Sequence, residues 1–484
     1  MSVLLSGPRP DAAAPVRPGT ARRRRILAWS AAGILFALYA ALALQRHAQL
    51  LTTGYDLGIF EQEVRSYAAW SPPTSLLKGT DYPLLGDHFS PIVATIAPFY
   101  ALLPGPQTLL VAQAALMATG VVPLVLWASR RLGIGAGVVV AGVYGLAGGI
   151  VHAIDFDFHE IAFAVPLLAL SLTALGRRRT GAAIAWALPL VLVKEDLGLT
   201  VAAVGILAAA RAWRGAGRSP RRRGELLLGF GAIALGVAAT LVETFLIIPA
   251  FNPAGANAYT GQVSTGGVLA SLADPVAGNA RIATTVLLLL PTAFVALRSP
   301  LVLAMLPTLA WRFLSDNPAY WSMDFHYGAV LVPIVTAAFV DGLIRIQRRD
   351  PVSARRRWPA LAAALTAILL AFSPLAQLAA PSFWRPDAHV VAARQVLERI
   401  PDGATVAASN ALVPQLTARA EVSQIGVLPI GAGRPDYVVA DVRRQSYPIT
   451  PDALEDAVAE AENAYGYRVL AEDDGVTLLA RPGL

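Results

Sequence analysis

Pro91-Ile92-Val93-Ala94-Thr95-Ile96-Ala97-Pro98-Phe99-Tyr100-Ala101-Leu102-Leu103-Pro104 is the stretch on which the topology of this chain turns. It is apolar throughout, yet proline bounds it at both ends. It also falls short of the ~17–25 residues that a helix needs to cross a hydrocarbon core. If it crosses, the next apolar helix, from about Gln107 to Ser129, delivers Arg130 and Arg131 to the outside. If it lies in the outer interface, those arginines return to the cytoplasm. The second reading also puts Arg177-Arg178-Arg179, the loop from Arg211 to Arg223, Arg298 and the loop from Arg345 to Arg357 inside. One re-entrant or surface helix therefore makes every basic loop obey the positive-inside rule.

The surrounding composition supports a membrane reading. Hydrophobic residues make up 55% of the 484-residue chain and charged residues only 15%, against roughly 25% in soluble domains. Mean hydropathy is +0.55. The formal charge of +7 sits in short arginine runs between apolar segments, which argues against a nucleic-acid partner. There are no cysteines, so disulfides, thiolate metal sites and cysteine nucleophiles are excluded.

Residues 1–25 read as a disordered basic arm rich in Pro, Ala and Arg. The apolar run from Ile26 to about Leu44 follows. With Ala41-Leu42-Ala43 as a cleavage site it could be a signal peptide, but the many spans behind it favour a retained first helix. Further spans begin near Gln107, Gly133, Ile161, Gly181, Leu197, Leu226, Ile282, Leu301, Gly328 and Pro359. The expected fold is an α-helical polytopic membrane domain over residues 26–380, with about eleven transmembrane helices, a cytoplasmic N-terminus and an extracytoplasmic C-terminus. Residues 381–484 differ. From 387 onward they carry 14 acidic residues against 8 arginines. Strands are expected over Ala404–Ala408 and Asp436–Val442, a hairpin around Asp474-Gly475, and helices over Ala388–Ile400 and Asp452–Tyr465. This segment reads as a small soluble extracytoplasmic α/β domain.

The adopted topology gathers the unusual polar residues on the outer side. The first outer loop holds Tyr55-Asp56-Leu57-Gly58-Ile59-Phe60-Glu61 and Gly86-Asp87-His88-Phe89-Ser90-Pro91. Later loops hold Asp155-Phe156-Asp157-Phe158-His159-Glu160, Lys194-Glu195-Asp196 and Asp324-Phe325-His326-Tyr327. All six histidines (His47, His88, His152, His159, His326 and His389) fall there too. Capping of helix ends and contact with water explain single residues of this kind. They do not explain why Asp stands beside His, or two residues from it, in three separate loops. Carboxylates desolvated by Phe and Tyr move toward neutrality, as acid–base work requires. Asp and His also ligate Mg²⁺, Mn²⁺ or Zn²⁺, so Asp157, His159, Asp324 and His326 are candidate metal ligands as well. Asp and His at i and i+2 of an extended segment would face one way. Lys194, one of two lysines, either pairs with Glu195 or holds a phosphate oxygen. Arg312 is a second such cation.

In their order, Tyr55–Phe60, Gly86–Pro91, Asp157–His159, Lys194–Asp196 and Asp324–Tyr327 resemble a bacterial and archaeal membrane family known as domain of unknown function twenty seventy-nine. That family is itself similar to GT-C glycosyltransferases. The resemblance covers roughly residues 45–345. It implies a polyprenyl-phosphate-linked sugar donor reached from the membrane lipid, an acidic residue in the first outer loop (Asp56) and a proline-containing surface helix (Ser90 to Pro104). One departure stands out: the Lys-Pro-Pro-type segment of many GT-C enzymes is replaced by Asp87-His88-Phe89-Ser90-Pro91, so contacts are not carried over there.

These observations together lead to an expected glycosyltransferase with an extracytoplasmic glycan or protein acceptor. Asp56 would activate the acceptor, and Asp157 and His159 would act with it. Asp87, His88, Lys194, Glu195, Arg312, Asp324 and His326 would contact substrates. The Asp/His set would take a divalent cofactor, Mg or Mn. A transporter or exporter of lipid-linked glycans is the main rival, but the apolar runs are nearly free of charge apart from Glu243 and Asp341. A non-catalytic scaffold for envelope assembly explains the tail but not the Asp/His set.

Overall fold

A computed structural model describes residues 18–214, 219–259, 275–444 and 446–484. Its first helix, α1, runs from Pro18 to Ala48, so Arg22–Arg25 are already helical. Residues 18–25 of the expected disordered arm are therefore helical, and residues 1–17 of it lie outside the described residues. α1 packs into a helical bundle, which the chain leaves for a segment carrying α2 (Ile59–Ala68) and α3 (Ala97–Leu102) and then re-enters. Its next members are α4 (Pro106–Thr119), α5 (Val121–Arg131), α6 (Ile134–Gly145), α7 (Gly148–Asp155), α8 (Ala164–Gly176) and α9 (Thr180–Ala187). The bundle continues with α10 (Leu197–Trp213), α11 (Pro220–Val242), α12 (Pro275–Leu289), α13 (Leu306–Leu314), α14 (Leu331–Gln347) and α15 (Trp358–Leu370).

An apolar helical segment stands at each expected span, but length separates them. Among the described residues, four helices are long and apolar enough to cross a membrane alone: Gly19–Ala48, Pro106–Arg131, Pro220–Phe251 and His326–Gln347. The pair Ile134–Gly145 and Gly148–Asp155, bent by 44°, makes a fifth if taken as one span. Others, such as Glu160–Gly176, Thr180–Leu192 and Leu197–Trp213, are shorter. Proline and 3₁₀ turns interrupt several of them, as at Leu188–Leu192 and Pro300–Met305. Hydropathy reports apolarity along the chain. It does not report where the hydrogen-bond ladder breaks.

Pro91–Leu102 forms a 3₁₀ turn followed by one and a half turns of α-helix, roughly 18 Å by helix rise, too short to cross. Val93, Ile96 and Tyr100 are buried, whereas Phe99, Leu102 and Leu103 are exposed. Such a one-sided helix suits an interface. Within the bundle α10 and α11 pack backbone to backbone. A Cβ on Gly198 would collide with the carbonyl of Gly236, and one on Gly236 with that of Gly198. Small residues of this kind let membrane helices approach closely.

The tail forms a five-stranded mixed sheet in the order β4-β3-β5-β7-β6. Its strands are β3 (Thr405–Ala408), β4 (Glu421–Gln424), β5 (Tyr437–Asp441), β6 (Arg468–Asp473) and β7 (Val476–Ala480), flanked by α16 (Ala388–Leu397) and α17 (Pro451–Tyr465). The numbering leaves β1 (Thr74–Ser75) and β2 (Tyr82–Pro83) to a small ribbon between α2 and α3. Asp474 and Gly475 both take positive φ, as a tight hairpin turn between β6 and β7 demands. The sheet is docked, not tethered. Leu50, Ile59, Leu77 and Leu84 share one hydrophobic core with Val406, Val413 and Leu416. Gly54 donates to the carbonyl of Asn410 at 2.8 Å. A Cβ on Gly54 would lie 2.5 Å from that of Val413, so only glycine fits this contact.

Candidate active site

Between the docked sheet and the helix ends lies a cavity of about 410 Å³. Four loops supply its polar wall. The Gly54–Gly58 turn leads into α2 and brings Asp56. The turn before α8 brings His159 and Glu160, the turn before α10 brings Lys194, Glu195 and Asp196, and the turn before α14 brings His326 and Tyr327. Asp87, His88 and Lys78 close the outer side, and Tyr447 reaches in from the tail. Tyr447 packs edge-on against Tyr55, ring centroids 4.8 Å apart.

The charges form a connected chain. His159 Nε2 lies 3.3 Å from Asp56 Oδ1, and its Nδ1 lies 3.3 Å from Glu160 Oε2. Lys194 Nζ donates to Glu160 Oε1 at 2.7 Å. His88 Nδ1 meets Glu195 Oε1 at 2.8 Å, and the amide of Phe89 donates to Glu195 Oε2 at 3.3 Å. Lys78 pairs with Asp87 at 3.1 Å, and the Tyr259 hydroxyl donates to the same carboxylate at 3.1 Å. The His159 and His326 rings stack with centroids 3.4 Å apart. The indole of Trp311 donates to Asp196 at 2.8 Å.

Burial and pairing then set protonation. Burial pulls His159 down, but the Asp56 and Glu160 carboxylates outweigh it and hold the imidazole at about 9. Burial pulls the Lys194 ammonium down as well, and Glu160, Glu195 and Asp196 reverse this and hold it charged. Burial raises Glu195 less than His88 and Lys194 lower it, so it stays ionised. Asp196 is pushed up to about 6 by burial and by Glu195. Glu63 is raised well above the carboxylate range by burial, then by the charges of Glu160 and Asp87.

The sequence expectations meet this geometry unevenly. Asp56, Asp87, His88, His159, Lys194, Glu195 and His326 converge on the cavity. Lys194 is paired with Glu160 and not with its neighbour Glu195. Asp157 is fully buried behind the site. Its Oδ2 accepts from the Thr53 amide at 3.0 Å and the Thr53 hydroxyl at 2.7 Å. Asp324 is exposed and does not line the cavity, because the chain turns into a 3₁₀ helix at His326–Gly328 and breaks the expected alternation. Arg312 is buried and also stands outside. Its guanidinium donates to the carbonyls of Tyr320 (2.9 Å), Tyr327 (3.2 Å) and Ser322 (2.7 Å). Asp157, His159, Asp324 and His326 therefore do not assemble as one ligand set. Among the described residues no group of three or more His, Asp or Glu is placed to hold a metal ion.

Glu63, Lys78 and Tyr259 also line the cavity and were not singled out from sequence. One signal was available for Lys78. The chain has only two lysines, and both line this cavity.

The chain is thus a helical bundle with a polar cavity at one end, roofed by a small sheet, and this fold has solved counterparts. The fold is similar to that of ArnT from Cupriavidus metallidurans. The apo structure aligns with a TM-score of 0.51 at 16% identity, covering 92% of this chain and 97% of that one. The structure bound to undecaprenyl phosphate aligns with a TM-score of 0.50 at 15% identity and the same coverage. Residues 46–478 match the family described as "Predicted membrane protein (DUF2079)", and the chain belongs to that family. No curated protein matches the sequence.

Proposed function

We propose that this protein is an integral-membrane glycosyltransferase that moves a sugar from a polyprenyl-phosphate donor to an extracytoplasmic acceptor. The observation that carries the reading is the pairing of Asp56 with His159 in a cavity that also holds both lysines. Asp56 Oδ1 faces His159, and no hydrogen bond engages Oδ2 among the described residues. That oxygen is free to take the proton of an acceptor hydroxyl. The acceptor oxygen then attacks the anomeric carbon as its bond to phosphate breaks, and the polyprenyl phosphate leaves with the electron pair. Lys78 and Lys194 meet the charge that remains on phosphate. His159, charged between two carboxylates, fixes Asp56 and balances Glu160. The ArnT structure bound to undecaprenyl phosphate supports a polyprenyl lipid as the donor's carrier.

The tail would choose the acceptor through Tyr447, which stands in the cavity wall. No step in this scheme runs through a metal. The test is a reconstituted assay in which purified protein in liposomes is offered labelled polyprenyl-phosphate sugars and envelope extracts. Transfer of label to a water-soluble or glycan product that depends on protein supports the reading. Absence of both transfer and donor hydrolysis across the common polyprenyl-phosphate sugars would overturn it.

A further inference from the structure

The far end of the bundle holds a second cavity, of about 450 Å³, with the opposite electrostatics. Helices α8, α10 and α14 each begin at the acid–histidine cavity and end at this one. Along the 17 residues of α14 the separation is roughly 25 Å. Five lining arginines, Arg130, Arg131, Arg177, Arg178 and Arg348, have no carboxylate within ion-pair distance among the described residues. Two more are engaged: Arg211 donates to the Leu175 carbonyl, and Arg345 pairs with Asp341 at 2.6 Å. Asp341 is the one acidic residue in the wall. The floor is Trp127 and Ile344, with Gly176 pressed against the Trp127 ring.

Arginines at helix C-termini complement the helix dipole and obey the positive-inside rule. Those effects explain single arginines facing water. They do not explain convergence from four helices and their connecting loops on one concavity, where like charges repel. Burial pulls the Arg177 guanidinium down, and the neighbouring charges of Arg179 and Arg130 add to this.

We infer that this cavity is a binding site for a phosphate-bearing anion. Guanidinium forks match phosphate oxygens two at a time, and the volume admits a lipid headgroup or a small polyphosphate. Basic pockets between membrane helices on the cytoplasmic side take phospholipid headgroups by the same chemistry. The site is separate from the proposed transferase cavity, and the inference stands whether or not that reading holds.

The test uses full-length protein purified in detergent and two probes. Cardiolipin retention is read by native mass spectrometry against phosphatidylcholine, and inorganic pyrophosphate binding by calorimetry. Arg130→Gln/Arg177→Gln/Arg348→Gln should weaken the binding probe by about tenfold or more, as loss of several charge-assisted bonds predicts. Arg349→Gln/Arg355→Gln/Arg356→Gln, outside the cavity, should not. Asp341→Asn removes the one opposing charge and should tighten binding, by roughly threefold for a partly exposed charge, a gain that misfolding cannot imitate. Response of the lipid probe assigns a headgroup, and response of pyrophosphate a soluble anion. Failure of both probes to bind the wild type would overturn the inference. So would equal losses in the two triple variants, or weaker binding in Asp341→Asn.

Discussion

Nε2 of His159 lies 3.3 Å from Oδ1 of Asp56, although the two residues come from different loops on different helices. The contact exists because Asp157, two residues before His159, holds the amide and hydroxyl of Thr53. The turn carrying Asp56 is thereby pinned to the loop carrying His159. Phe60 and Phe156 flank the imidazole, with centroids at 5.3 and 5.9 Å.

Asp56→Asn preserves shape and removes the proton acceptor. Transfer should fall by about 10²–10⁴-fold, the usual contribution of a general base. Donor binding and elution in detergent should match the wild type. Near-normal turnover would show that Asp56 only shapes the turn.

Asp157 is a positioning residue by the same geometry, and its variants should separate the two roles. Burial first, and the Asp56 charge next, push its carboxyl up to about 8, so it is protonated at neutral pH. Asp157→Asn keeps an oxygen for Thr53 and should retain activity within about threefold, far from the loss expected of a catalytic acid or base. Asp157→Ala frees Thr53 and should lower turnover by misplacing Asp56. A loss in Asp157→Asn as large as that in Asp56→Asn would make Asp157 a chemical participant.

Much of this was legible in the sequence, for identifiable reasons. Arginine runs fixed which loops share a face, and the proline-bounded Pro91–Leu103 segment resolved their parity. The Asp474-Gly475 turn reads directly as a hairpin because few residue pairs accept two positive φ values. Side-chain direction within the irregular loops was not legible. Asp324 and His326 read as one pair, yet one is exposed and the other buried. Glu160 and Lys194 lie in separate loops, and only the packing of α8 against the 188–192 turn before Lys194 joins them. Lengths of unbroken helix were equally hidden, because the 3₁₀ interruptions depend on tertiary fit.

Arg312 gives a prediction opposite to the one its sequence position suggested. Its guanidinium ties Tyr320, Ser322 and Tyr327 together from within. Arg312→Gln should strand at least one buried carbonyl and lower stability by about 1–3 kcal/mol. Melting temperature should drop, while KM for the donor in the surviving folded protein stays near the wild-type value. A selective rise in KM at unchanged melting temperature would return Arg312 to phosphate binding.

The pH dependence of stability follows from His159. Its folded pKa of about 9 exceeds the ~6.5 of an unfolded histidine. The native state therefore binds more protons between these values, and stability falls as pH rises across that window. The contribution is fully present below ~6.5 and lost as pH passes about 9. Melting temperature should decline from neutral pH to pH 10, and less steeply in His159→Gln. An identical slope in the variant would mean that the imidazole is not held charged by Asp56 and Glu160.

Sidedness is the last expectation, and the absence of cysteine makes it simple to read. Ser71 and Asn463 are exposed on the segments that surround the acid–histidine cavity and the sheet, and Arg349 is exposed just beyond α14, at the arginine end. Single cysteines at Ser71 and Asn463 should react with a membrane-impermeant maleimide in intact cells. A cysteine at Arg349 should react only after permeabilisation, because the positive-inside rule assigns the arginine end to the cytoplasm. The reverse pattern would place the proposed transferase cavity in the cytoplasm, where a donor presented from the outer leaflet could not reach it. Labelling of all three from outside would instead mean that α14 does not cross, and would remove the separation of the two cavities by the bilayer.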